Sequence, residues 1–170
     1  MRNVEKENIQ QHSHETAVLA HALALIANER FAADVNAERA AVLAIYHDAS
    51  EIITGDMPTP IKYGSPTLRQ SYAQIEEHAK KILVKRLPEY LQPHYEKILD
   101  SESAPEWPYV KAADTLSAYI KCVSEINAGN KEFSTAERKL YAKLKSNELP
   151  ALKVFMEEFL PAYSQTLDES

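Results

Sequence analysis

Glycine is scarce in this chain, with 3 residues in 170. Tight sheet turns draw on glycine, so its scarcity argues against a hairpin-rich β protein and favours helices joined by Pro, Asn and Ser. Cysteine is scarcer still. Cys122 stands alone, which excludes an intrachain disulfide and gives no sign of secretion. An excess of basic charge is also lacking: 25 acidic side chains face 19 basic ones, for a formal net charge of -6. That speaks against a general nucleic-acid or anionic-membrane surface. A small anionic substrate remains open, because a metal ion can invert the local field. The longest apolar stretch, Ala17 to Ala27, is interrupted by His21 and is too short to span a bilayer. The start, Met1 to Asn8, is polar and charged and carries no signal-peptide core, so the cytoplasm is the expected compartment.

What is present is ordinary for a globular protein: 45% apolar and 26% charged residues, enough for one domain over 1–170. The periodicity gives six or seven helices and no strand, an all-α chain. Val18, Leu19, Ala22, Leu25 and Ile26 recur at helical spacing and set a first helix over Ser13 to Arg30, with His12 just before it. Asn36 is a good N-cap for a second helix over Ala37 to Ile53. Gly55-Asp56-Met57-Pro58-Thr59-Pro60 forbids helix and makes a stiff loop. Ser65-Pro66 opens a helix to about Arg86, and Pro88 and Pro93 punctuate a shorter segment ending near Asp100. Helix resumes from about Tyr109 to Ala128 and stops at Gly129-Asn130. Ser134-Thr135-Ala136-Glu137 has the capping-box pattern, and Pro150 opens the last helix.

Within the second of these segments lies His47-Asp48, an adjacent imidazole and carboxylate in the middle of an apolar helical stretch that begins at Ala40. A charge drawn away from water costs free energy unless it is partnered, and a metal ion suits both side chains. His47 and Glu51 are four apart and Asp48 and Glu51 three apart, so a continuous helix turns them to one region. Asp114 lies in Val110-Lys111-Ala112-Ala113-Asp114-Thr115-Leu116, another awkward home for a carboxylate, with Lys111 as an alternative partner. Two imidazoles, His12 and His47, and two carboxylates, Asp48 and Asp114, suit Mn, Fe, Co, Ni or Mg in open coordination better than a closed structural zinc site. Such an ion acidifies water and neutralises a phosphoryl oxygen, and Glu51 could position or deprotonate that water.

The order His…His-Asp…Asp is that of the HD-domain phosphohydrolases. The longer string His47-Asp48-Ala49-Ser50-Glu51…Thr54-Gly55-Asp56-Met57-Pro58-Thr59-Pro60 resembles the YfbR-like 5'-deoxynucleotidases within that superfamily. So do Glu7-Asn8 with His12-Ser13, Asn36-Ala37-Glu38-Arg39, Lys111-Ala112-Ala113-Asp114 with Ala118-Tyr119 and Lys121-Cys122, and Ala128 to Phe133. The resemblance implies an HD-domain helical bundle and hydrolysis of deoxyribonucleoside 5'-monophosphates to deoxynucleoside and phosphate. It implies that His12, His47, Asp48 and Asp114 bind one divalent metal, Co²⁺ or Mn²⁺ first, with Mg²⁺, Fe²⁺ and Ni²⁺ as alternatives. Glu51 would act with Asp48 in catalysis by orienting water. Asp56, Met57, Pro58 and Thr59 would hold the deoxyribose, with Asp48 and Asp114 also against the substrate. It implies a homodimer. Family members also carry a helical segment ending in Arg-Trp-Pro, with Arg at the phosphate. This chain begins after that point, and its sole tryptophan, Trp107, lies in an unrelated stretch.

Other readings compete. Another HD phosphohydrolase could act on a nucleoside triphosphate or a signalling nucleotide. Only Lys62 and Lys111 lie near the motifs, which favours a monophosphate. A non-catalytic nucleotide-sensing HD protein would be expected to have broken ligands or to lack Glu51, and all five residues are here. His14, His21, His78 and His94 read as ordinary surface or core histidines, so one metal is expected rather than two.

Overall fold

The computed structural model describes residues 3–4, 7–55, 57 and 64–164, and every element in them is helical. In chain order these are α1 (Ile9–Phe31), α2 (Ala37–Tyr46), α3 (Glu51–Thr54), α4 (Pro66–Lys85), α5 (Gln92–Leu99), α6 (Trp107–Asn127), a 3₁₀ turn (Lys131–Phe133), α7 (Ser134–Lys145), α8 (Pro150–Glu158) and a second 3₁₀ turn (Leu160–Ser164). The chain forms two compact units, Met1–Ile45 with Ala104–Ser170, and Tyr46–Ser103. Among the described residues no helix is long and apolar enough to cross a membrane.

In the first unit α6 packs against α1 and α7, and α1 also packs on α8. Small residues make this close. Ala17, Ala20, Ala24 and Ala27 form a buried stripe along α1, and Ala112 and Ala113 are buried on α6. Helix axes approach according to the side chains at the contact. Leu23, Leu43, Leu116, Leu144 and Leu152 are fully buried, each contributing about 1.5–3 kcal/mol of transfer free energy. One buried charge is well partnered. Glu125 accepts from the Val4 backbone N–H at 2.9 Å and from Asn130 Nδ2 at 2.8 Å, and it pairs with Lys121 at 3.3 Å. It thereby ties the start of the chain to the end of α6.

In the second unit α4 packs on α3 and α5. Its buried side chains are few: Tyr72, Ala79, Val84 and Leu99 among the apolar ones. Tyr46 meets Tyr95 edge-on at 5.8 Å. The Tyr72 hydroxyl donates to the Gly55 carbonyl at 3.2 Å, so α4 holds the end of α3 where Gly55 turns with φ 70°.

Most caps stand where the residues put them. Asn36 Oδ1 accepts from Arg39 N at 2.8 Å, Ser65 Oγ accepts from Leu68 N at 3.1 Å, and Gly129 takes φ 89° beyond α6. Three expectations are corrected. The first helix starts at Ile9 rather than Ser13, because Asn8 and Gln11 form a capping box. The helix read as Ala37 to Ile53 is α2 and α3 with a turn between. Around it the bonds tighten to i→i−3, as in Ala49 N to Tyr46 O (3.0 Å) and Glu51 N to Asp48 O (2.9 Å). Ser134 is not a cap. The 3₁₀ turn before it delivers Ser134 already helical at φ -59°, ψ -31°, where an N-cap needs an extended backbone.

Candidate metal centre

The start of α1 fixes the first imidazole. Asn8 Oδ1 accepts from Gln10 N and Gln11 N, each at 3.0 Å, and Gln11 Oε1 accepts from Asn8 N at 3.0 Å. His12 therefore lies in the first turns of α1, not ahead of the helix, and its N–H donates to Asn8 O at 3.1 Å. Across the α1–α6 packing, His12 Nε2 is 3.4 Å from Asp114 Oδ1. The other carboxylate oxygen, Oδ2, accepts from Lys111 Nζ at 2.6 Å. The lysine pairing and the imidazole pairing thus coexist, one on each oxygen of Asp114.

Two further side chains complete this corner. Ser117, one turn beyond Asp114, is 1% exposed. Its hydroxyl donates to a carboxylate oxygen of Glu15 and lies 3.3 Å from His12 Nδ1. The sequence reading missed both residues. Their signal is the shared spacing: Glu15 follows His12 by three, and Ser117 follows Asp114 by three, the interval that puts side chains on one helix face.

The second unit presents its own pair. His47 Nε2 is 3.1 Å from Asp48 Oδ2, and the imidazole is 1% exposed against 28% for the Asp48 side chain. Both sit in the turn after α2, so the face-sharing argument for His47 and Glu51 on one continuous helix does not hold. Glu51 follows the turn as the first residue of α3, its N–H donating to the Asp48 carbonyl. Tyr46, just before the pair, is held above the ordinary phenol range. Its hydrogen bond with Tyr95 is the main cause, followed by burial and the nearness of the Tyr95 charge.

Of the loop expected to hold sugar, Met57 is described and half-buried. Asp56, Pro58 and Thr59 lie outside the described residues. His14, Glu77 and His78 are exposed, and Glu76 is half-buried.

The donors fit a divalent cation. Each unit brings one imidazole nitrogen within 3.1–3.4 Å of a carboxylate oxygen; His12 and Asp114 are half-buried and the His47 imidazole is buried. Imidazole and carboxylate together match borderline and hard first-row cations.

The fold is that of the HD-domain phosphohydrolases. A Listeria innocua HD-domain phosphohydrolase superposes with a TM-score of 0.83 at 26% identity, over 95% of this chain and 79% of that one. A cyanophage S-2L HD phosphohydrolase, solved with dA and one catalytic Zn²⁺ ion, shares the fold with a TM-score of 0.64 at 21% identity, over 97% of this chain and 88% of that one. Within this class a family model of YfbR-like 5'-deoxynucleotidases matches residues 1–163. A 5'-deoxynucleotidase of Photorhabdus temperata is 48% identical over 171 residues, 99% of this chain and 87% of its own length. One of Erwinia tasmaniensis is 47% identical over 99% of this chain and 86% of its own length. The chain belongs to the YfbR-like 5'-deoxynucleotidase family, a group of phosphomonoester hydrolases.

Proposed function

We propose that this chain hydrolyses deoxyribonucleoside 5'-monophosphates to deoxynucleoside and phosphate, with His12, His47, Asp48 and Asp114 holding one divalent ion. The observation that carries this is the matched pair of imidazole–carboxylate contacts, 3.4 Å in one unit and 3.1 Å in the other, in a chain of this family. In this reading residues 1–170 are one HD domain. Co²⁺ or Mn²⁺ is the preferred ion, the enzyme is a cytoplasmic homodimer, and its partner is the small-molecule nucleotide.

The bound ion supplies neutralisation of a phosphoryl oxygen and acidification of water. The chain's residues do the rest. Glu51 orients the attacking water and accepts its proton on the carboxylate. Asp48 and Asp114 flank the phosphate as well as serving as donors. Lys111 holds Asp114 Oδ2 at 2.6 Å, which leaves Oδ1 turned toward His12. Asp56, Met57, Pro58 and Thr59 hold the deoxyribose, the basis on which ribonucleotides are rejected.

The test is phosphate release from dAMP, AMP and 3'-dAMP with added Co²⁺, Mn²⁺ or Mg²⁺, beside Asp48→Ala. Turnover of dAMP alone, lost in the variant, is expected. Equal turnover of AMP would sink the sugar selectivity. Turnover of dAMP undiminished in Asp48→Ala would sink the metal site as drawn.

A further inference from the structure

A serine inside a helix commonly turns its hydroxyl back to the carbonyl four residues earlier. Thr115 does so, donating to Lys111 O at 3.0 Å. Ser117, two residues on, instead reaches across to α1. Its hydroxyl donates to Glu15, 102 residues away in sequence, and approaches His12 Nδ1 at 3.3 Å.

The proton count decides the direction of each bond. A hydroxyl has one hydrogen, and a carboxylate can only accept. With Glu15 taking the Ser117 hydrogen, the Ser117 oxygen can meet His12 only as an acceptor. A neutral His12 must then carry its proton on Nδ1, which leaves the lone pair on Nε2. That nitrogen is the one turned to Asp114 Oδ1 at 3.4 Å. A lone pair facing a carboxylate oxygen is an arrangement that a shared cation relieves. Outer partners that fix a ligating imidazole's tautomer and ring angle are part of a metal site's design.

We propose that Glu15 and Ser117 are positioning residues: Glu15 fixes the Ser117 hydroxyl, and Ser117 fixes His12 in the tautomer whose Nε2 faces the ion. The proposal rests on the reading of His12 as a metal donor. Ser117 is buried at 1% exposure, where bulk water competes little for either bond. Glu15 and Ser117 both lie in the first unit, with His12 and Asp114, so the chain of bonds is complete within it.

The test uses the full-length protein labelled with ¹⁵N-histidine, metal-free, at a pH where the imidazoles are neutral. The chain has six histidines, and the His12 signals are assigned by their loss in His12→Gln. Wild type is expected to show His12 with hydrogen on Nδ1. Ser117→Ala removes the acceptor. Glu15→Gln can donate to Ser117 and free the serine hydrogen for Nδ1. Both should move His12 toward the other tautomer and weaken Co²⁺ binding, read by visible absorbance, about 10–100-fold. Near-wild-type kcat at saturating Co²⁺ and an unchanged circular dichroism spectrum would mark positioning rather than misfolding. The double variant should be no worse than the single ones, because it breaks one chain of bonds. Hydrogen on Nε2 in the wild type would overturn the proposal. So would an unchanged tautomer and affinity in both variants while His12→Gln loses Co²⁺. Co²⁺ affinity unchanged in His12→Gln would instead overturn the metal reading, and the positioning role with it, whatever the tautomer shows.

Discussion

In the first unit His12 and Asp114 stand on helices of 23 and 21 residues that pack against one another over a stripe of buried alanines and leucines. In the second, His47 and Asp48 occupy a turn of four residues between a ten-residue helix and a single helical turn. The same chemical pair, an imidazole beside a carboxylate, is thus held in two ways. Long-range packing sets the first, since its members are 102 positions apart and neither could find the other without the core. Chain adjacency sets the second, and the turn around it needs only local hydrogen bonds. A pair made by packing inherits the stability of the unit. A pair made by a turn can be retuned by a few residues without disturbing a core.

The sharpest way to break the comparison is to remove one donor from each pair. His12→Ala and Asp48→Ala should each lower kcat/KM for dAMP by at least about 10³-fold, more than the 10–100-fold typical of an outer partner. Equal losses would support the proposed single ion. A large loss in only one variant would break it, leaving one pair as the working site. The next effect is on stability. Leu23→Ala in the first unit should cost about 2–5 kcal/mol in urea unfolding, because Leu23 is fully buried between packed helices. A cost below about 1 kcal/mol would show that the α1 packing is looser than described.

In the second unit Tyr72→Phe removes the donor to Gly55 and should cost about 0.5–1.5 kcal/mol. If Tyr72→Phe proved as costly as Leu23→Ala, the contrast between the units would collapse. The smallest effect concerns Cys122. Burial first, then Glu137 and Glu125, push its thiol above the ordinary range. Iodoacetamide at pH 8 should therefore label it slowly in the folded protein and at normal rates in urea. The linkage has a definite sign. As pH rises past the ordinary thiol value of about 8.5, the unfolded chain releases a proton that the folded chain keeps. Stability contributed by this group is full below that pH and declines above it. Cys122→Ser should flatten the decline, and fast labelling of the folded chain would contradict the burial argument.

Much of the fold was legible because the helix signals here are local. Asn36, Ser65-Pro66, Gly129 and Pro150 each mark a boundary by their own backbone or side-chain chemistry, and the structure places helix ends at all four. The Asn8–Gln11 box is equally local, an Asn followed three residues later by Gln, and it would have moved His12 into α1. The break at His47 was not legible. Tyr46 to Ile53 contains neither Pro nor Gly, and nothing in its propensities interrupts a helix. The turn there is held by local i→i−3 backbone bonds, such as Ala49 N to Tyr46 O and Glu51 N to Asp48 O, which no residue type in the segment announces.

The sequence by itself determined the helical class, the caps, the family and the list of candidate donors, because each of these is written in residue type and spacing. Only the tertiary structure decided that Asp114, with one oxygen on Lys111 of its own helix, gives the other to His12, and that Ser117 and Glu15 stand behind that histidine. Those choices depend on how α1 lies on α6. That is set by buried alanines and leucines spread over the whole unit, and no short motif encodes it.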